Sequence, residues 1–508
     1  MSTLPTNNLA RLAEIAFERR GDYPALLFED RWHSSGELSV RASRLAGGLV
    51  ELGVRPGDRV VVCMGNCPEV AIVYEALWRA GAVVTPVMFL LSASELRHVI
   101  SDSEACAVIT TTDVVEKVSE AAAGVDTVRA LICHGQAENA IALSSLEQSA
   151  PLPIVDRAQD DLAALLYTGG TTGRAKGVML SHGNLLFSGQ AGYRDTYFEG
   201  LTHTLLTLPL SHNYGIAVTI GSMFSPERVV TVLLRWFDST TFLEHIQQQR
   251  VQLSGVVPSM IQRLLAEPLE NYDLSSLRYV TCGSAPLPRS RADEFERRIP
   301  SVRIREGYGL TETSALVAVT PVENNKPGSV GRPVPGTEVV IFDEADKQLP
   351  TGEAGEICCR SPAVTSGYWR SPEMTAEVLR DGWLHTGDVG YLDEDGFLFI
   401  VDRKKDLIIR GGFNVYPRDV EDALLEHPEI TTAGVVGRPD EQHGEEVVAF
   451  VSLAHAGAAT EAELVEWARA QIGGYKYPRE VHVVDSLPLT AVGKLDRKVL
   501  RNLVNEAA

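Results

Sequence analysis

LLYTGGTTGRAKGVML, at residues 165–180, sets four glycines, three threonines and a lysine behind a short apolar run. A Walker phosphate loop needs the pattern G-x-x-x-x-G-K-[ST], but counting from Gly170 puts Ala175 at the second glycine and Gly177 at the hydroxyl position. Backbone amides freed by glycine, with threonine hydroxyls beside them, still favour an anion-binding loop. A plain surface turn of the same composition is the alternative.

The sequence around this loop alternates between strand and helix patterns. Ser34 and Glu37 form a capping-box pattern ahead of a helical repeat that stops at Gly53. The patterns that follow are strands at 59–63, 82–85 and 163–167 and a helix at 68–80. Such alternation predicts a largely parallel sheet with helices on its faces, and it places the loop at the carboxyl end of a strand, where ligands bind.

The sequence changes character near residue 390. An Asp395-Gly396 turn between apolar segments predicts a β-hairpin over residues 390–401. The later patterns are helices at 417–426 and after the Thr460/Glu463 capping box, with strands at 433–436, 447–453 and 481–484. We therefore predict an α/β protein with a large N-terminal multi-layer α/β domain containing parallel sheets, over residues 1–401, and a small C-terminal α+β domain over residues 404–508.

Composition narrows the class of protein. A chain of 508 residues predicts more than one domain, and a net charge of -21 argues against nucleic acid as a partner. The sequence contains neither an apolar run of membrane-spanning length nor a signal peptide, so we expect a cytoplasmic protein. The 7 cysteines include no C-x-x-C pair, which favours reduced, packed thiols over a zinc site or a disulfide framework.

Three further stretches carry candidate chemistry. REGYGLTE at 305–312 ends in Glu312, a residue type that binds Mg²⁺ beside phosphates, although most loop glutamates are merely solvated. WLHTGD at 383–388 places Asp388 where a carboxylate can accept hydrogen bonds from ribose, but alone it is a weak signal. PLTAVGK at 488–494 ends in Lys494, which is either a mobile point charge for an anionic transition state or a solvated lysine near the terminus.

In their order along the chain, these motifs resemble those of the adenylate-forming acyl-CoA synthetases, to which luciferase and the adenylation domains of peptide synthetases are related. The resemblance covers nearly the whole chain. Its other motifs are LPLSHNYG at 208–215, VVPSM at 256–260, GSAPL at 283–287, GSVGRPVPG at 328–336, VDRKKDLIIRGGFNVYP at 401–417 and PLTAVGKLDRK at 488–498.

The resemblance implies a ligase that uses ATP, Mg²⁺ and coenzyme A. A carboxylate attacks the α-phosphate of ATP to give an acyl-adenylate and pyrophosphate, and CoA then converts the adenylate to acyl-CoA and AMP. It implies that Lys494 bridges the carboxylate and the α-phosphate, and that Glu312 holds the metal. The catalytic residues implied are Lys494, Thr168, Glu312 and His212.

The resemblance also implies the nucleotide site. The pyrophosphate end corresponds to Thr168, Gly169, Gly170, Thr171, Thr172, Gly173 and Lys176. The adenine side corresponds to Gly283, Ser284, Ala285 and Pro286 with Glu306, Gly307, Tyr308, Gly309 and Thr311, and the ribose side to Asp388 and Arg403. The loop departs from the common family pattern at Gly170, often serine, and at Ala175, often proline, and both changes are tolerable in a mobile loop.

For the second half-reaction, the resemblance implies that the C-terminal domain is mobile. It pivots about a hinge at 402–403, with Asp402 as the hinge residue, and withdraws Lys494 from the site. The Arg410-to-Phe413 turn, with Gly411, Gly412 and Phe413, then lines the tunnel for the pantetheine chain of CoA.

The acyl pocket implied by the resemblance is formed by His212, Asn213, Tyr214, Gly283 and Gly309. The stretch from Thr202 to Ser225 contains no Asp or Glu, which disfavours an amino acid as substrate, and no Arg or Lys, which disfavours a dicarboxylate. Arg228, just beyond this stretch, leaves the dicarboxylate open as an alternative. His212 is either a gate between the ATP and acyl sites or a hydrogen-bonded pocket histidine.

An aromatic and apolar pocket wall leads us to expect a medium- or long-chain fatty acid first, and an aryl acid of the benzoate or cinnamate type second. An acyl-AMP ligase that loads a carrier protein is the alternative to a CoA ligase. A non-catalytic binding module is a distant third, and a luciferase-like oxidase would need an unusual substrate. The partners expected are the small-molecule acid, ATP and CoA, and a homodimer stays open.

Overall fold

The computed structural model describes residues 6–168, 174–322, 324–490 and 494–506. Gly169 to Gly173 of the phosphate-loop candidate therefore lie outside the described residues. The helices are α1 Leu9–Arg20, α2 Ser35–Glu51, α3 Pro68–Arg79, α4 Ala93–Asp102, α5 Val115–Ala122, α6 Leu143–Leu146, α7 His182–Thr196, α8 Asn213–Phe224, α9 Ser239–Gln249, α10 Pro258–Leu265, α11 Arg289–Arg298, α12 Pro372–Val378, α13 Pro417–Leu425, α14 Glu461–Gln471 and α15 Arg497–Glu506.

The strands alternate with these helices through most of the chain. They are β1 Pro24–Phe28, β2 Arg31–Ser34, β3 Arg59–Cys63, β4 Val83–Pro86, β5 Ala107–Thr111, β6 Ala130–His134, β7 Ile141–Ala142, β8 Leu162–Thr168, β9 Lys176–Ser181, β10 His203–Leu206, β11 Val230–Leu233, β12 Leu253–Val256, β13 Tyr279–Cys282 and β14 Arg303–Tyr308. The remaining ones are β15 Ala318–Val319, β16 Arg332–Pro333, β17 Glu338–Phe342, β18 Gly355–Arg360, β19 Leu379–Arg380, β20 Trp383–Leu392, β21 Leu398–Arg403, β22 Ile408–Arg410, β23 Phe413–Val415, β24 Ile430–Asp440, β25 Gly444–Leu453 and β26 Glu480–Val483.

Two parallel-rich sheets form the N-terminal part. The first has the strand order β7-β6-β5-β3-β4-β8-β9, and only β9 runs antiparallel, against β8. The second has the order β16-β15-β14-β13-β12-β10-β11-β1-β2, with β10 to β14 parallel. The predicted α/β class and the parallel sheets are confirmed. Both sheets present the carboxyl ends of their parallel strands as ligand-binding edges.

The structure refines the start of α2. Ser34 caps this helix, since its side chain accepts a hydrogen bond from the backbone N–H of Glu37. The carboxylate of Glu37 does not complete the capping box, because it is turned to Arg31, 3.0 Å away. The ion pair with Arg31 therefore replaces the reciprocal half of the predicted motif.

An antiparallel sheet of β17 to β21 follows, and it contains the predicted hairpin. Strands β20 and β21 pair on either side of the Asp395-Gly396 turn, and their register sets Asp388 opposite Arg403. The hairpin thus ends at the predicted hinge. Both residues that the resemblance assigns to ribose lie side by side on it.

The C-terminal part has its own sheet and its own core. Strands β22 to β26 form the sheet, and a cluster including Val420, Val435, Val447 and Leu464 packs beneath it. The predicted Thr460/Glu463 capping box is confirmed in both directions. The predicted strand at 433–436 is the centre of the longer β24, which pairs with β25 along its length.

All seven cysteines are buried and free. Burial raises the pKa of the Cys63, Cys67 and Cys359 thiols to about 12. The cysteines are thus packed in the interior, as predicted. No helix within the described residues is both long and apolar enough to span a bilayer.

Candidate active site

The two stems of the phosphate-loop candidate are held in place by strand pairing and by contacts with neighbouring residues. Thr168 ends β8 opposite Lys176, which begins β9. The His98 imidazole contacts the Ala175 carbonyl through Nε2 at 2.9 Å, and the backbone N–H of Trp369 donates to the Gly177 carbonyl at 2.7 Å. The stems are thus anchored at the edge of the first sheet.

A tyrosine joins this loop to the candidate metal ligand. The Lys176 ammonium lies 5.1 Å from the centroid of the Tyr368 ring, a cation–π distance. The Tyr368 hydroxyl donates to Glu312 Oε1 at 2.8 Å. Glu312 itself stands in the short 3-10 turn Thr311–Thr313, whose backbone is held by Thr365 at 2.8 Å. Tyr368 therefore contacts a lysine with its ring and a carboxylate with its hydroxyl, and both of these charged residues are partly buried.

Asp388 receives two donors. The Tyr308 hydroxyl donates to its Oδ2 at 2.7 Å, and Arg403 Nε lies 3.1 Å from its Oδ1. Asp388 and Tyr308 are buried, and the pKa of Tyr308 is well above its usual value because of burial and the neighbouring carboxylate. The strand ends that carry the predicted adenine and ribose residues are thus fastened together.

The remaining predicted adenine residues follow β13 and β14. Cys282 pairs with Glu306 at the ends of these strands, so Gly283 to Pro286 and Gly307 to Gly309 emerge side by side. Ser284 has a φ of 75°, a left-handed backbone that is uncommon for a residue with a side chain. Burial raises the pKa of Glu306 to about 7. This edge therefore presents a segment with strained backbone beside a carboxyl group that protonates near neutrality.

Lys494 is brought to the same place from the far end of the chain. Its backbone N–H donates to Thr490 Oγ1 at 3.2 Å, and its carbonyl accepts from the Thr490 N–H at 2.7 Å. Burial and the charge of Arg403 lower the pKa of Lys494, while Asp388 and Glu312 raise it. The Lys494 ammonium therefore lies within the electrostatic field of both predicted carboxylates.

His212 faces this lysine. It caps α8 by accepting a hydrogen bond at Nδ1 from the backbone N–H of Tyr214, 3.3 Å away. Burial, followed by the charge of Lys494, lowers the pKa of His212 to about 4. The imidazole is consequently neutral near pH 7, with Nε2 carrying the proton.

Asn213 and Tyr214 form the adjoining wall at the start of α8. Asn213 Nδ2 donates to the Leu310 carbonyl at 3.1 Å, and the Tyr214 hydroxyl lies 3.1 Å from Thr281 Oγ1. Tyr214 also covers Gly255, where a Cβ would stand 2.2 Å from the tyrosine oxygen. Only glycine fits at this approach, so the hydroxyl end of Tyr214 packs directly against the backbone of Gly255.

The predicted CoA-side turn belongs to a different surface. Gly411 and Gly412, between β22 and β23, and Phe413, the first residue of β23, are exposed. The Phe413 ring, 59% exposed, lies 5.0 Å from the ring of Tyr475, and Arg410 is bound by Glu446 at 2.6 Å. These neighbours all belong to the C-terminal part. The structure thus brings Lys494 to the ATP-side residues while the CoA-side turn faces outward.

The predicted hinge is fixed on both sides. Asp402 accepts hydrogen bonds from the backbone N–H groups of Arg403 and Arg418, at 2.7 and 2.9 Å. Lys404 Nζ lies 3.1 Å from Oε2 of Glu356, a carboxylate whose side chain is only 7% exposed. The chain therefore crosses between the two parts under several local restraints.

Sequence reasoning missed two of these participants. Tyr368, in a GYWR segment, carries no chemical signature, and its role emerges only because β9 bridges to it at Val178. Glu356 stands inside an ordinary strand pattern, β18, and gains its partner Lys404 through the pairing of distant strands. Its one signal in the sequence is the presence of an acidic residue within an apolar strand pattern.

Comparisons with known proteins agree with this geometry. The sequence profile of the AMP-binding enzyme family matches residues 13–369, and that of the AMP-binding enzyme C-terminal domain matches residues 419–494. A feruloyl-CoA synthase of Amycolatopsis sp is 39% identical over 467 residues, covering 90% of this chain and 91% of the relative. A long-chain-fatty-acid–CoA ligase of Bacillus subtilis (strain 168) is 35% identical over 538 residues, covering 98% and 94%.

A solved structure gives the same result for the fold. A crystal structure of ATP-bound MatB from Rhodopseudomonas palustris is similar with a TM-score of 0.90 at 32% identity, and the match covers 98% of this chain and 99% of that one. The similarity to these relatives thus extends over nearly the full length of the chain. On this basis the chain belongs to the AMP-binding enzymes, as one of the AMP-forming acyl-CoA synthetases.

Proposed function

We propose that this acyl-CoA synthetase activates its carboxylic acid at the site around Lys494. The observation that carries the proposal is the position of that ammonium, which lies in the field of Asp388 and Glu312 and whose own charge acts on His212. A cation there can offset the charge of both the attacking carboxylate and the α-phosphate, where preorganised charge has its largest effect on rate. Attack forms the bond between carboxylate oxygen and phosphorus, and pyrophosphate leaves.

The other ATP-side residues position the substrate in this proposal. Thr168 and Lys176 stand at the stems of the loop that would hold the leaving pyrophosphate, and Tyr308, Asp388 and Arg403 form one bonded group toward the nucleoside. Glu312 would hold Mg²⁺, since a carboxylate with one oxygen on Tyr368 suits a hard cation that prefers oxygen ligands. Bound there, the ion would neutralise phosphate charge. The neutral His212 would shape the passage between the ATP and acyl sites.

We further propose that CoA reacts after the part beyond the hinge rotates. In this scheme residues 1–401 and 404–508 move as units about 402–403, Lys494 leaves, and the Gly411-to-Phe413 turn comes to the site. Support comes from the outward position of that turn while Lys494 is engaged. The CoA sulfur then attacks the acyl carbonyl, the bond to AMP breaks, and the thiol proton is released.

For the acid, we propose an aryl carboxylate as the first candidate, ahead of the fatty acid expected from sequence. The hydroxyl end of Tyr214 packs against Gly255 and lies 3.1 Å from Thr281 Oγ1. An aromatic side chain with a hydroxyl pair beside it suits an aryl acid better than a long alkyl chain. The similarity to a feruloyl-CoA synthase supports the aryl acid, and the similarity to a long-chain-fatty-acid–CoA ligase keeps the fatty acid as second candidate.

A direct assay tests the function. The protein is incubated with ATP, Mg²⁺, CoA and a panel of benzoates, cinnamates and fatty acids, and the products are resolved by mass. Acyl-CoA and AMP from one class are expected. Acyl-adenylate without a CoA ester would favour the carrier-loading alternative, and no activated product from any acid would overturn the proposal. Because the reaction consumes ATP and CoA, we propose the cytoplasm, where both are supplied, as its location.

A further inference from the structure

A histidine on α4 contacts the base of the phosphate-loop candidate. The Nε2 atom of His98 lies 2.9 Å from the carbonyl oxygen of Ala175. A carbonyl oxygen can only accept, so Nε2 carries the proton and donates it to this bond. The two residues are 77 positions apart in sequence, and His98 lies outside every motif of the family resemblance. The contact therefore adds a residue of another element to the surroundings of the loop.

Ala175 lies at the point where the strand pairing stops. The antiparallel ladder of β8 and β9 ends with the pair Thr168 and Lys176, so Ala175 is one residue beyond it on the loop side. Strand β9 is the edge of its sheet, and its outer side is covered by hydrogen bonds from residues 367–369 to Gly177 and Met179. The His98 bond lies closer to the loop than either of these. It extends the restraint on this stem past the last ladder pair.

Helix α4 is a fixed support for this donor. It begins with a capping box of Ser92 and Glu95 that is complete in both directions. At its end, the Asp102 carboxylate accepts from the Tyr167 hydroxyl at 2.6 Å, and the Asp102 carbonyl accepts from the indole N–H of Trp369 at 3.0 Å. The helix is thus bonded both to β8 and to the segment that covers β9. A donor on α4 holds its acceptor at a defined place relative to both strands.

The imidazole ring of His98 makes a second contact that orients it. It meets the ring of Tyr167 edge to face, with centroids 6.3 Å apart and planes at 84°. Tyr167 directly precedes Thr168, the last residue of β8. The ring contact and the hydrogen bond use different parts of the side chain. Substitutions can therefore remove one and keep the other.

The hydrogen bond acts on the peptide group ahead of Lys176. The carbonyl of residue 175 and the N–H of residue 176 share one planar peptide group, so a bond to the carbonyl fixes the orientation of both. Lys176 carries the ammonium that lies 5.1 Å from the centroid of the Tyr368 ring. His98 thus sets the direction in which the chain enters β9 at the lysine.

We propose that His98 is a positioning residue for the pyrophosphate end of ATP. Its Nε2–H holds the loop stem in the arrangement that receives the β- and γ-phosphates, so that less order has to be imposed when ATP binds. This inference rests on the proposed function of the loop and extends it to a residue on a different element. AMP lacks the β- and γ-phosphates. The effect of His98 should therefore be confined to ATP and leave the binding of AMP unchanged.

Two substitutions separate the N–H from the ring. His98→Phe keeps an aromatic ring against Tyr167 and removes the donor, whereas His98→Gln keeps an N–H donor and removes the ring. In His98→Phe we expect the KM and the dissociation constant for ATP to rise about 3- to 10-fold, the range that one hydrogen bond typically contributes. The value of kcat should stay within about 2-fold, because His98 makes no contact with the reacting atoms. His98→Gln should retain wild-type affinity for ATP.

Initial rates of pyrophosphate release give KM and kcat, and calorimetry with ATP and with AMP gives the dissociation constants. His427→Phe is the matched control. His427 is also half-buried, meets Trp467 edge to face at 4.9 Å, and accepts from the Glu429 N–H at 3.2 Å in the C-terminal part. It should bind ATP like the wild type.

Three results would overturn the inference. Unchanged affinity for ATP in His98→Phe would show that the bond does not position the loop. An equal loss of affinity for ATP and AMP would show a general structural role. The same loss in His98→Gln as in His98→Phe would assign the effect to the ring instead of the N–H. Should His98→Phe not fold, His98→Leu also lacks the donor and carries the same expectation.

Failure of the inference and failure of the function are separable. If the enzyme forms an acyl-CoA and His98→Phe binds ATP as tightly as the wild type, the inference fails and the acid-activating function stands. If the wild-type protein activates no acid and binds no ATP, the function itself fails.

Discussion

The Tyr308 hydroxyl donates to Asp388 across 2.7 Å and ties the end of β14 to the hairpin that leads into the hinge. We expect Tyr308→Phe to raise the KM for ATP several-fold more than it lowers kcat, because the lost bond positions the nucleoside side and makes no contact with the reacting atoms. Leaving the buried Asp388 without this donor should also cost about 1–3 kcal/mol of stability. Initial rates and urea unfolding measure the two effects. Tyr391→Phe, on the strand that carries Asp388, serves as control. An unchanged KM for ATP in Tyr308→Phe would contradict the prediction.

Lys494→Ala should separate the two half-reactions. Loss of the ammonium should lower adenylate formation by about 10²-fold or more, as for other preorganised charges that act on a transition state. Thioester formation from supplied acyl-adenylate should be spared, since the proposed rotation withdraws Lys494 for that step. Pyrophosphate release and acyl-CoA by mass report the two rates.

The control for this experiment is Lys498→Ala, an exposed lysine at the start of α15. Both half-reactions should stay at wild-type rates in that variant. An equal loss of both half-reactions in Lys494→Ala would refute the division of labour between the two conformations.

Gly412→Leu should affect mainly the CoA step. Gly412 has a φ of 81° and open space around it, so a side chain would strain the backbone and enter the path proposed for pantetheine. Gly457→Leu matches it, with a φ of 79° and equally open surroundings in the same C-terminal part. We expect the thioester rate to fall in Gly412→Leu alone, while adenylation continues. Comparable thioester rates in the two variants would count against the proposed CoA path.

Glu306 should make stability depend on pH. Its folded pKa, raised to about 7, lies above the usual value of 4.5, so the folded protein binds more protons than the unfolded chain between these values. Stability from this group therefore falls as pH rises from about 4.5 to 7. Glu306→Gln removes that dependence, and its stability relative to wild type should increase with pH over the window.

Urea midpoints of both proteins at pH 5 and pH 7.5 check this difference. Glu75 and Glu421 also have pKa values raised to about 7, but both proteins retain them, so the comparison isolates Glu306. A constant difference between the two proteins at both pH values would show that Glu306 does not titrate in this range.

The Lys404–Glu356 pair should bias the hinge. The proposed rotation of the C-terminal part would separate Lys404 from Glu356, and Glu356 would keep its contact with His385 at 3.3 Å. Lys404→Ala should then leave stability within about 1 kcal/mol, as for other half-exposed pairs. The ratio of thioester to adenylation rate should rise a few-fold. The exposed Lys347→Ala is the control, and an unchanged ratio would show that the pair does not restrain rotation.

Local patterns predicted much of the fold. The apolar run before the loop became β8, and its four central residues are buried. The return strand β9 was not predicted, because KGVMLS mixes polar and apolar residues and owes its conformation to pairing with β8. In the same way β24 extends well beyond its apolar centre, since ten residues of β25 supply its hydrogen bonds.

The motifs identified the ATP-side residues, but they did not give the contacts between them. Tyr368 reaches Glu312 across 56 residues of sequence, and no periodicity carries such a pairing. The sequence likewise does not show that the Asn213 side-chain carbonyl lacks a hydrogen-bond partner among the described residues. That property depends on which groups lie near it in the folded protein. A motif specifies which residue types occur at which positions, whereas the tertiary structure decides which polar atoms find hydrogen-bond partners.

The burial of all seven cysteines affects how the enzyme tolerates its thiol substrate. A CoA ligase works beside a mobile thiol whose disulfide form exchanges with accessible thiolates, and rates of exchange follow thiolate fraction and access. Each cysteine of this chain is shielded from solvent. The native enzyme should accordingly resist formation of mixed disulfides with CoA. Its own thiols should not react when free CoA is titrated with a thiol reagent during turnover.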